Sequence, residues 1–229
     1  WTSYADKADW IFCLVRTDSS GSKHEGISFV LFDMASPGVS TRPIRLISGS
    51  SPFCETFFDN VKAWKRNRVG EEGKGWAIAK YLLTHEREMI SGFGAAPKKS
   101  LGEAALETLG ADASGRLGNG ILRHTIAQYQ LDALAFAATM SRVGDEAKAG
   151  QGLGAASSIF KYYGTELNKR RNELNLAIGG EAALGWDGEV YHGGATSRDW
   201  LRSKGNSIEG GTSEVQLNII AKRVLGLPD

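Results

Sequence analysis

The sequence predicts an α+β protein in which a portion of antiparallel β-structure is followed by an up-down four-helix bundle. Up to residue 72, short stretches rich in β-branched and aromatic residues alternate with clusters of Gly, Ser, Pro and Asp, which is typical of antiparallel strands joined by loops. After VGEEGKG (69–75), apolar residues instead recur every three or four positions, as they do in amphipathic helices. Strands first and long helices afterwards indicate a β-domain portion at 1–72 and a helical bundle at 73–229.

The individual elements follow from the same two patterns. In the first part, strands are predicted at DWIFCLVRTD (9–18), EGISFVLFD (25–33), TRPIRLI (41–47) and CETFFDNV (54–61). In the second part, GWAIAKYLLTHEREMISGF (75–93) places apolar residues on one face of a first helix. Further helices are predicted at about 100–113, 119–147, 153–183 and 212–225, divided by short Gly-rich breaks.

Composition limits the kinds of partner. The chain has 229 residues, of which 41% are hydrophobic, so it is long enough to bury a core. Its 27 basic and 26 acidic residues leave a net charge of +1, which gives no electrostatic support for nucleic acid or membrane partners. The two cysteines, Cys13 and Cys54, are expected to be free thiols in a reducing compartment, which favours a cytoplasmic location.

The beginning of the sequence is abrupt. The chain starts at Trp1 without an initiator methionine, and the first predicted strand begins only eight residues later, at Asp9. We therefore expect the sequence to be a fragment of a longer protein or a processed chain.

Glu86 is the acidic residue with the clearest catalytic pattern. Leu82 and Ile90 lie one helical turn away on either side, so its carboxylate shares the apolar stripe of the first helix. If that stripe faces a pocket, desolvation would disfavour the charged form, which suits a general base. An ion pair with Arg87 or another basic side chain on a solvated edge is the alternative.

Two Gly-rich turns are candidate ligand sites. IEGGTSE (208–214) precedes a predicted helix, so its glycines allow close approach of the backbone to a ligand, and the free amides of the first turn can bind anionic or carbonyl oxygens. Thr212 or Ser213 could equally be a plain N-cap. AIGGEAALGW (177–186) is a second Gly-rich break, which could equally be the C-cap of a long helix.

The remaining motifs are less specific. LNKRRNEL (167–174) could bind phosphate or form a solvated helix face. The four histidines are scattered, with no spacing typical of a metal site, so no metal is expected. The sequence contains no P-loop, no GxGxxG after a strand and no nucleophile elbow.

Several segments taken together resemble one protein family. They are ADWIFCLVRTD, FFDNV followed by RVGEEGKGW, LLTHEREMI, AIGGEAALGW and IEGGTSEVQLNIIAKRVLGLP. In this order and approximate spacing they resemble the acyl-CoA dehydrogenase family of flavoproteins over essentially the whole chain. The resemblance implies an N-terminal helical domain, a β-domain and a C-terminal four-helix bundle, so this chain would begin inside the β-domain. It also implies FAD as the cofactor, bound between the β-domain and the bundle.

The resemblance assigns residues to the FAD site. WTS at the start of the chain is similar to the family's W-x-T segment, so Trp1 would contact the flavin ring and Ser3 would supply a hydroxyl near it. The other residues expected to contact FAD are Gly179 and Gly180 of AIGGEA, Thr212 and Glu214 after the second glycine pair, and Arg116 of RLGNG. In RLGNG, Asn119 replaces the family's aromatic residue, and Arg123 is an alternative to Arg116.

The resemblance also indicates where the catalytic base lies. Many family members place a Glu immediately before GTS, where this chain has Gly210, which is then expected to line the substrate pocket. Glu209 lies one residue earlier and should point elsewhere. In another branch of the family the base comes from a Glu-Arg pair on the first bundle helix, which LLTHEREMI supplies as Glu86 and Arg87. Glu86 is then the expected base, with Arg87 near the CoA portion of the substrate.

The activity implied by the resemblance is α,β-dehydrogenation of an acyl-CoA thioester to a trans-2-enoyl thioester, in fatty acid and lipid metabolism. Electrons would pass to an electron-transferring flavoprotein, and the assembly would be a homotetramer or a hetero-oligomer. Two alternatives stay open: a non-catalytic partner subunit of a hetero-oligomeric dehydrogenase, and a relative whose reduced flavin reacts with oxygen as an oxidase or monooxygenase. Straight-chain, branched and steroid side-chain thioesters all remain possible substrates.

Overall fold

The protein consists of two compact units, Trp1–Glu86 and Arg87–Asp229, that divide within one helix. The computed structural model describes residues 1–92, 99–150 and 156–228, together with their side chains except those of residues 84, 86–92 and 156. It confirms the predicted α+β class, with antiparallel sheet first and a helical bundle afterwards. The predicted boundary between residues 72 and 73 stays a prediction.

The first unit contains two small antiparallel sheets. One has the strand order β1-β5-β4 and the other has the order β2-β3-β6. The four predicted strands are present within a few residues of their expected limits, and two further strands are very short. The bounds are β1 (Thr2–Ser3), β2 (Trp10–Arg16), β3 (Ile27–Asp33), β4 (Val39–Ile44), β5 (Phe53–Phe58) and β6 (Arg68–Val69).

Strand β3 is the most buried strand of this unit. Its Phe29 and Phe32 are core residues, and the hydroxyl of Ser28 accepts a hydrogen bond from the Gly73 amide at 2.9 Å. A Cβ atom at Gly75 would lie 2.5 Å from the Phe29 nitrogen, so only glycine allows the following helix to begin so close to this strand. The sheet therefore fixes the start of the first helix.

Six α-helices lie within the described residues. Helices α2, α3, α5 and α6 all pack against α4, which makes α4 the centre of the bundle. Within the described residues, no helix combines the length and the hydropathy needed to cross a bilayer. The bounds are α1 (Gly75–Gly92), α2 (Leu101–Leu109), α3 (Gly120–Lys148), α4 (Ala156–Ala183), α5 (Ala195–Ser203) and α6 (Ser213–Ile219), with a π-helical turn at Ile220–Val224.

The core of the bundle is formed where α2, α3 and α4 meet. Leu167, Leu174 and Ile178 recur on one face of α4 at steps of seven and four residues, as required for a buried helical stripe. The complete buried cluster is Leu101, Ala105, Leu117, Ile126, Tyr129, Leu167, Leu174 and Ile178. Burial of this apolar surface is the main driving force for assembly of the bundle.

Local capping determines where two of the helices begin. Ser100 and Glu103 form a capping box at the start of α2, with the Glu103 amide donating to the Ser100 hydroxyl at 3.1 Å. Asn119 is the N-cap of α3, and its side-chain oxygen accepts from the Leu122 amide at 3.0 Å. Asn119 therefore has a structural role at a position where the family pattern has an aromatic residue.

Helix α5 was not predicted from the sequence. Its segment, ATSRDWLRS, is short and polar on average, so its few apolar residues repeat too seldom to predict a helix, although polar and less polar residues lie on opposite sides. The residues that it buries are instead two serines, Ser197 and Ser203, and the Ser197 hydroxyl donates to the Ala183 carbonyl at 2.7 Å. Packing against α4, rather than an apolar stripe, places this helix.

Truncation of the α4 core should destabilise the protein. Leu174 is 7% exposed, so Leu174→Ala in the full-length protein is expected to cost about 2–5 kcal/mol through lost burial and a residual cavity. Leu134→Ala on α3, where the side chain is 67% exposed, is the control and should change stability by roughly 0.5 kcal/mol or less. Guanidinium unfolding monitored by circular dichroism measures both, and equal midpoints would contradict the assigned core.

Candidate functional site

The Gly-rich turn before α6 depends on two glycines with left-handed backbone. Gly210 has a φ of 60° and Gly211 a φ of 93°, a region that side chains strongly disfavour. The side chain of Gln216, which is 1% exposed, reaches back and donates to the Gly210 carbonyl at 3.1 Å. Sequence analysis did not identify Gln216, although a glutamine on the inner face of a helix after GGTS is a recognisable signal.

Thr212 connects this turn to α6 as its N-cap. The Thr212 hydroxyl accepts from the Val215 amide at 3.2 Å, so the capping role left open by the sequence is present. Glu214 lies in the first turn of α6 with an exposed carboxylate. Its own backbone N–H, the Thr212 hydroxyl and the charge of Lys161 lower the pKa of this carboxyl. Glu214 is therefore an anion at neutral pH.

A buried hydroxyl beside the turn has no partner among the described residues. The Oγ atom of Ser213 is buried without a hydrogen bond, and so is the Oε1 atom of Gln216. Leaving a buried polar atom unpaired costs about 1–3 kcal/mol, so such atoms are rare in folded proteins.

The second Gly-rich segment forms a break near the end of α4. Gly180 has a φ of 56° and a ψ of −139°, which interrupts the helix, and a Cβ atom there would meet open space. A Cβ atom at Gly179 would lie 2.5 Å from the Cβ atom of Ala183, so this position excludes any side chain. Gly180 leaves an exposed, accessible backbone, whereas Gly179 serves packing.

The acid that precedes the glycines is already engaged. The carboxylate of Glu209 forms an ion pair with the Arg202 guanidinium of α5, and its amide donates to the Gly205 carbonyl at 3.2 Å. Glu209 therefore points toward α5, as expected from the sequence. Gly210 itself has no side chain, so the turn leaves no carboxylate directly before Gly211 and Thr212.

The two arginines proposed for the FAD pyrophosphate have different surroundings. Arg116 is exposed in the loop before α3, and its amide donates to the Asp112 carboxylate at 3.0 Å. Hydrogen bonds from Ser114 and from this amide lower the pKa of Asp112. The Arg123 guanidinium donates to the Leu117 carbonyl at 2.7 Å, so it helps to close the loop. Both arginines are exposed, so exposure does not decide between them.

The remaining predicted residues lie in the first unit or on α1. Trp1 is 82% exposed, and Ser3 pairs with Phe53 at the edge of a sheet. Glu86 and Arg87 lie on α1, but their side chains fall outside the described residues. Their predicted roles therefore stay predictions.

The basic cluster on α4 is used inside the protein. Arg170 forms an ion pair with Asp132 of α3 at 2.6 Å, and Arg171 donates to the Lys99 carbonyl at 2.7 Å. Lys169 pairs with Glu166 on its own helix. These contacts connect α4 with its neighbours, which explains the cluster without a bound phosphate.

Lys161 of α4 is a site residue that the sequence analysis missed. Its side chain is fully buried, and its ammonium group donates to the Asn206 carbonyl at 3.0 Å, just before the Gly-rich turn. A single lysine among Ser, Phe and Tyr carries no periodic signal that distinguishes it from a surface residue. The contact became visible only in the folded chain.

Comparison with known proteins identifies the family. The model of the acyl-CoA dehydrogenase C-terminal domain matches residues 73–225. The acyl-CoA dehydrogenase FadE34 of Mycobacterium tuberculosis is 35% identical over 234 aligned positions that include the whole chain, which corresponds to 30% of FadE34. The chain therefore belongs to the acyl-CoA dehydrogenase family.

Solved structures agree with this assignment. The Tcur3481-Tcur3483 steroid ACAD matches 99% of the chain with a TM-score of 0.85 and 25% identity. The ChsE4-ChsE5 complex from Mycobacterium tuberculosis matches 100% of the chain with a TM-score of 0.77 and 27% identity. The chain spans 59% and 60% of these two solved chains, so all three relatives are longer than this sequence.

The residues of the helical unit fit a bound FAD. The exposed backbone at Gly180, the left-handed glycines Gly210 and Gly211 and the exposed carboxylate of Glu214 offer a ligand close approach and hydrogen-bonding positions. FAD carries many polar groups that can use such positions. These backbone and polar groups are therefore compatible with FAD, the cofactor implied by the family.

Loss of the N-cap should weaken α6 measurably. Thr212→Ala removes the acceptor for the Val215 amide and is expected to lower the free energy of unfolding by about 1 kcal/mol. Thr212→Ser keeps a hydroxyl at the same place and should restore most of the loss. Chemical unfolding of the full-length variants measures both, and equal losses for Ala and Ser would exclude a capping role.

Proposed function

We propose that this chain forms the C-terminal part of an FAD-dependent acyl-CoA dehydrogenase that converts an acyl-CoA thioester to its trans-2-enoyl thioester. Support comes from family membership and from the Gly-rich turn before α6. The observation that carries the proposal is the geometry of that turn: left-handed glycines present their backbone just before the start of α6, and the acid that precedes them is already ion-paired.

The catalytic base in this proposal is Glu86. Gly210 supplies no side chain, and the Glu209 carboxylate is held by Arg202, so the turn itself offers no free carboxylate before Thr212. A base is nevertheless needed, because the α-proton of the thioester must be removed. Glu86 on α1 is the acid of the Glu-Arg pair found in one branch of the family, and it would take that proton.

The other site residues would bind and orient the cofactor and the substrate. When bound, FAD would accept the hydride from the β carbon of the substrate. Thr212, Glu214 and the Gly179–Gly180 segment would hold it, Arg116 would contact its pyrophosphate, and Trp1 and Ser3 would contact its flavin ring. Arg87 would lie near the CoA portion, and Gly210 would line the acyl pocket, where the missing side chain leaves room for substrate.

The partner of the reduced enzyme would be an electron-transferring flavoprotein, and the assembly a homotetramer or hetero-oligomer in the cytoplasm. For the acyl group, the name of the Tcur3481-Tcur3483 steroid ACAD favours including steroid-derived thioesters among the substrates tested. Straight-chain and branched acyl groups belong in the same panel.

A second candidate function is that of a partner subunit in a hetero-oligomeric dehydrogenase. The ChsE4-ChsE5 complex has two named components, and the name Tcur3481-Tcur3483 pairs two components in the same way. In such an assembly this chain would shape the site of a catalytic sibling. A stoichiometric second family member would then accompany it.

Substitution of Glu86 should abolish proton abstraction without loss of the cofactor. In the full-length protein, Glu86→Gln keeps the size of the side chain but removes the base, so bleaching of the flavin absorbance by acyl-CoA under anaerobic conditions should slow by at least about a hundredfold. Stopped-flow absorbance measures the rate, and the flavin content of the purified variant confirms that FAD is still bound.

Glu209→Gln is the matched control, since it changes the neighbouring acid that is paired with Arg202. It should bleach within a few-fold of the wild type. A slow Glu209→Gln and a normal Glu86→Gln would move the base to the turn. No bleaching of the wild type by any thioester would overturn the dehydrogenase proposal.

Native purification distinguishes the two candidate functions. An affinity tag on the full-length protein in its own host should recover a homo-oligomer if the chain is catalytic by itself. Mass spectrometry that instead finds a second acyl-CoA dehydrogenase chain in a fixed ratio would support the partner-subunit function. Activity of the separated subunits would then show which one carries the base.

A further inference from the structure

Three polar side chains of α4 converge on the segment that leads into the Gly-rich turn. Lys161 donates to the Asn206 carbonyl at 3.0 Å, and Asn168 donates to the Asn206 side-chain oxygen at 2.8 Å. Lys169 donates to the Ser207 hydroxyl at 2.8 Å. Residues 161 and 168 are seven positions apart, two helical turns, so they project from the same side of α4. We call these three side chains and their two partners the α4 anchor.

Lys161 is the member of the α4 anchor whose burial costs the most free energy. Its side chain is 0% exposed, and a buried ammonium loses hydration that one carbonyl only partly replaces. Burial lowers its pKa, and Lys169 acts in the same direction, while the carboxylates of Glu209, Glu166 and Glu214 favour the charged form. An apolar side chain of similar length would satisfy packing at lower cost. Packing alone therefore does not explain why this residue is a lysine.

Contacts on both sides of the turn fix its position. Gly210 and Gly211 have no side chains and a large conformational freedom, so their backbone must be held from both ends. Downstream, Gln216 binds the Gly210 carbonyl and Thr212 caps α6. Upstream, Glu209 is ion-paired with Arg202, and the α4 anchor binds Asn206 and Ser207, four and three residues before Gly210.

We infer that Lys161 is a positioning residue. Through its hydrogen bond to the Asn206 carbonyl, the buried ammonium fixes the position of the Gly-rich turn relative to α4. Cofactor and acyl thioester bind against this turn. This inference rests on the proposed function, because the turn matters only if it contacts flavin and substrate. Lys161 itself touches neither and acts through the turn. Its removal should loosen residues 206–212 while the hydrophobic core of the bundle stays intact.

The test compares Lys161→Met with wild type in the full-length, FAD-loaded protein. Met is close in size to the four-atom apolar stem of Lys and lacks the ammonium donor. Amide hydrogen exchange of residues 206–212 should accelerate at least about tenfold, the loss expected for a hydrogen bond to a charged group. The dissociation constant of FAD should rise, or the rate of flavin bleaching should fall, by a similar factor. Lys148→Met, at an exposed site on α3, is the matched control and should change neither quantity.

The outcomes separate this inference from the proposed function. Unchanged exchange at 206–212 in a folded Lys161→Met overturns the inference, and so does faster exchange with unchanged flavin binding, flavin spectrum and bleaching rate. If no thioester bleaches the wild type, the dehydrogenase proposal fails, and FAD affinity alone decides whether Lys161 positions the turn. A wild type that binds no FAD overturns both.

If Lys161→Met does not fold, Asn168→Ala, which removes the second contact to Asn206, is expected to show the same changes to a smaller degree.

Discussion

The packing of α4 is the constraint on which the rest of the helical unit depends. One face of this helix buries Leu167, Leu174 and Ile178 in the core, and helices α2, α3, α5 and α6 all contact it. The same helix carries Lys161 and Asn168, whose polar groups bind the segment before the Gly-rich turn. Protein cores are close-packed and resist small displacements. A turn that is hydrogen-bonded to α4 is therefore restricted in its movement as well. A flexible sequence is thereby given a defined position.

The Gly-rich turn illustrates how a protein combines a permissive backbone with a rigid support. Gly210 and Gly211 adopt left-handed conformations and present backbone without obstruction, which suits contact with a ligand. The same freedom carries an entropy cost, and polar side chains outside the turn offset it. Gln216 on one side and Lys161 of α4 on the other donate to main-chain carbonyls, so the neighbours of the loop determine its position.

Three glutamates near the proposed chemistry differ in environment rather than in type. Glu209 is neutralised by Arg202, and Glu214 is an exposed anion in the first turn of α6, where its own amide and Thr212 favour the charged form. Neither arrangement suits a base that must take a proton from a carbon acid. Glu86 has Leu82 and Ile90 one helical turn away in the sequence, surroundings in which desolvation would favour that role.

Local pattern in the sequence determined the strands of the β-unit, the long helices, the Gly-rich breaks and the resemblance to acyl-CoA dehydrogenases, since period, turn residues and motif order are all properties of neighbouring positions. Asn119 as a cap is also local, although the family pattern drew attention to the missing aromatic residue instead. Tertiary structure alone decided the rest. Helix α5 buries serines against α4, and Lys161 is buried because Asn206, 45 positions along the chain, folds over it. Burial and long-range hydrogen bonds depend on which segments come together in space. The periodicity within a single segment carries no information about that contact.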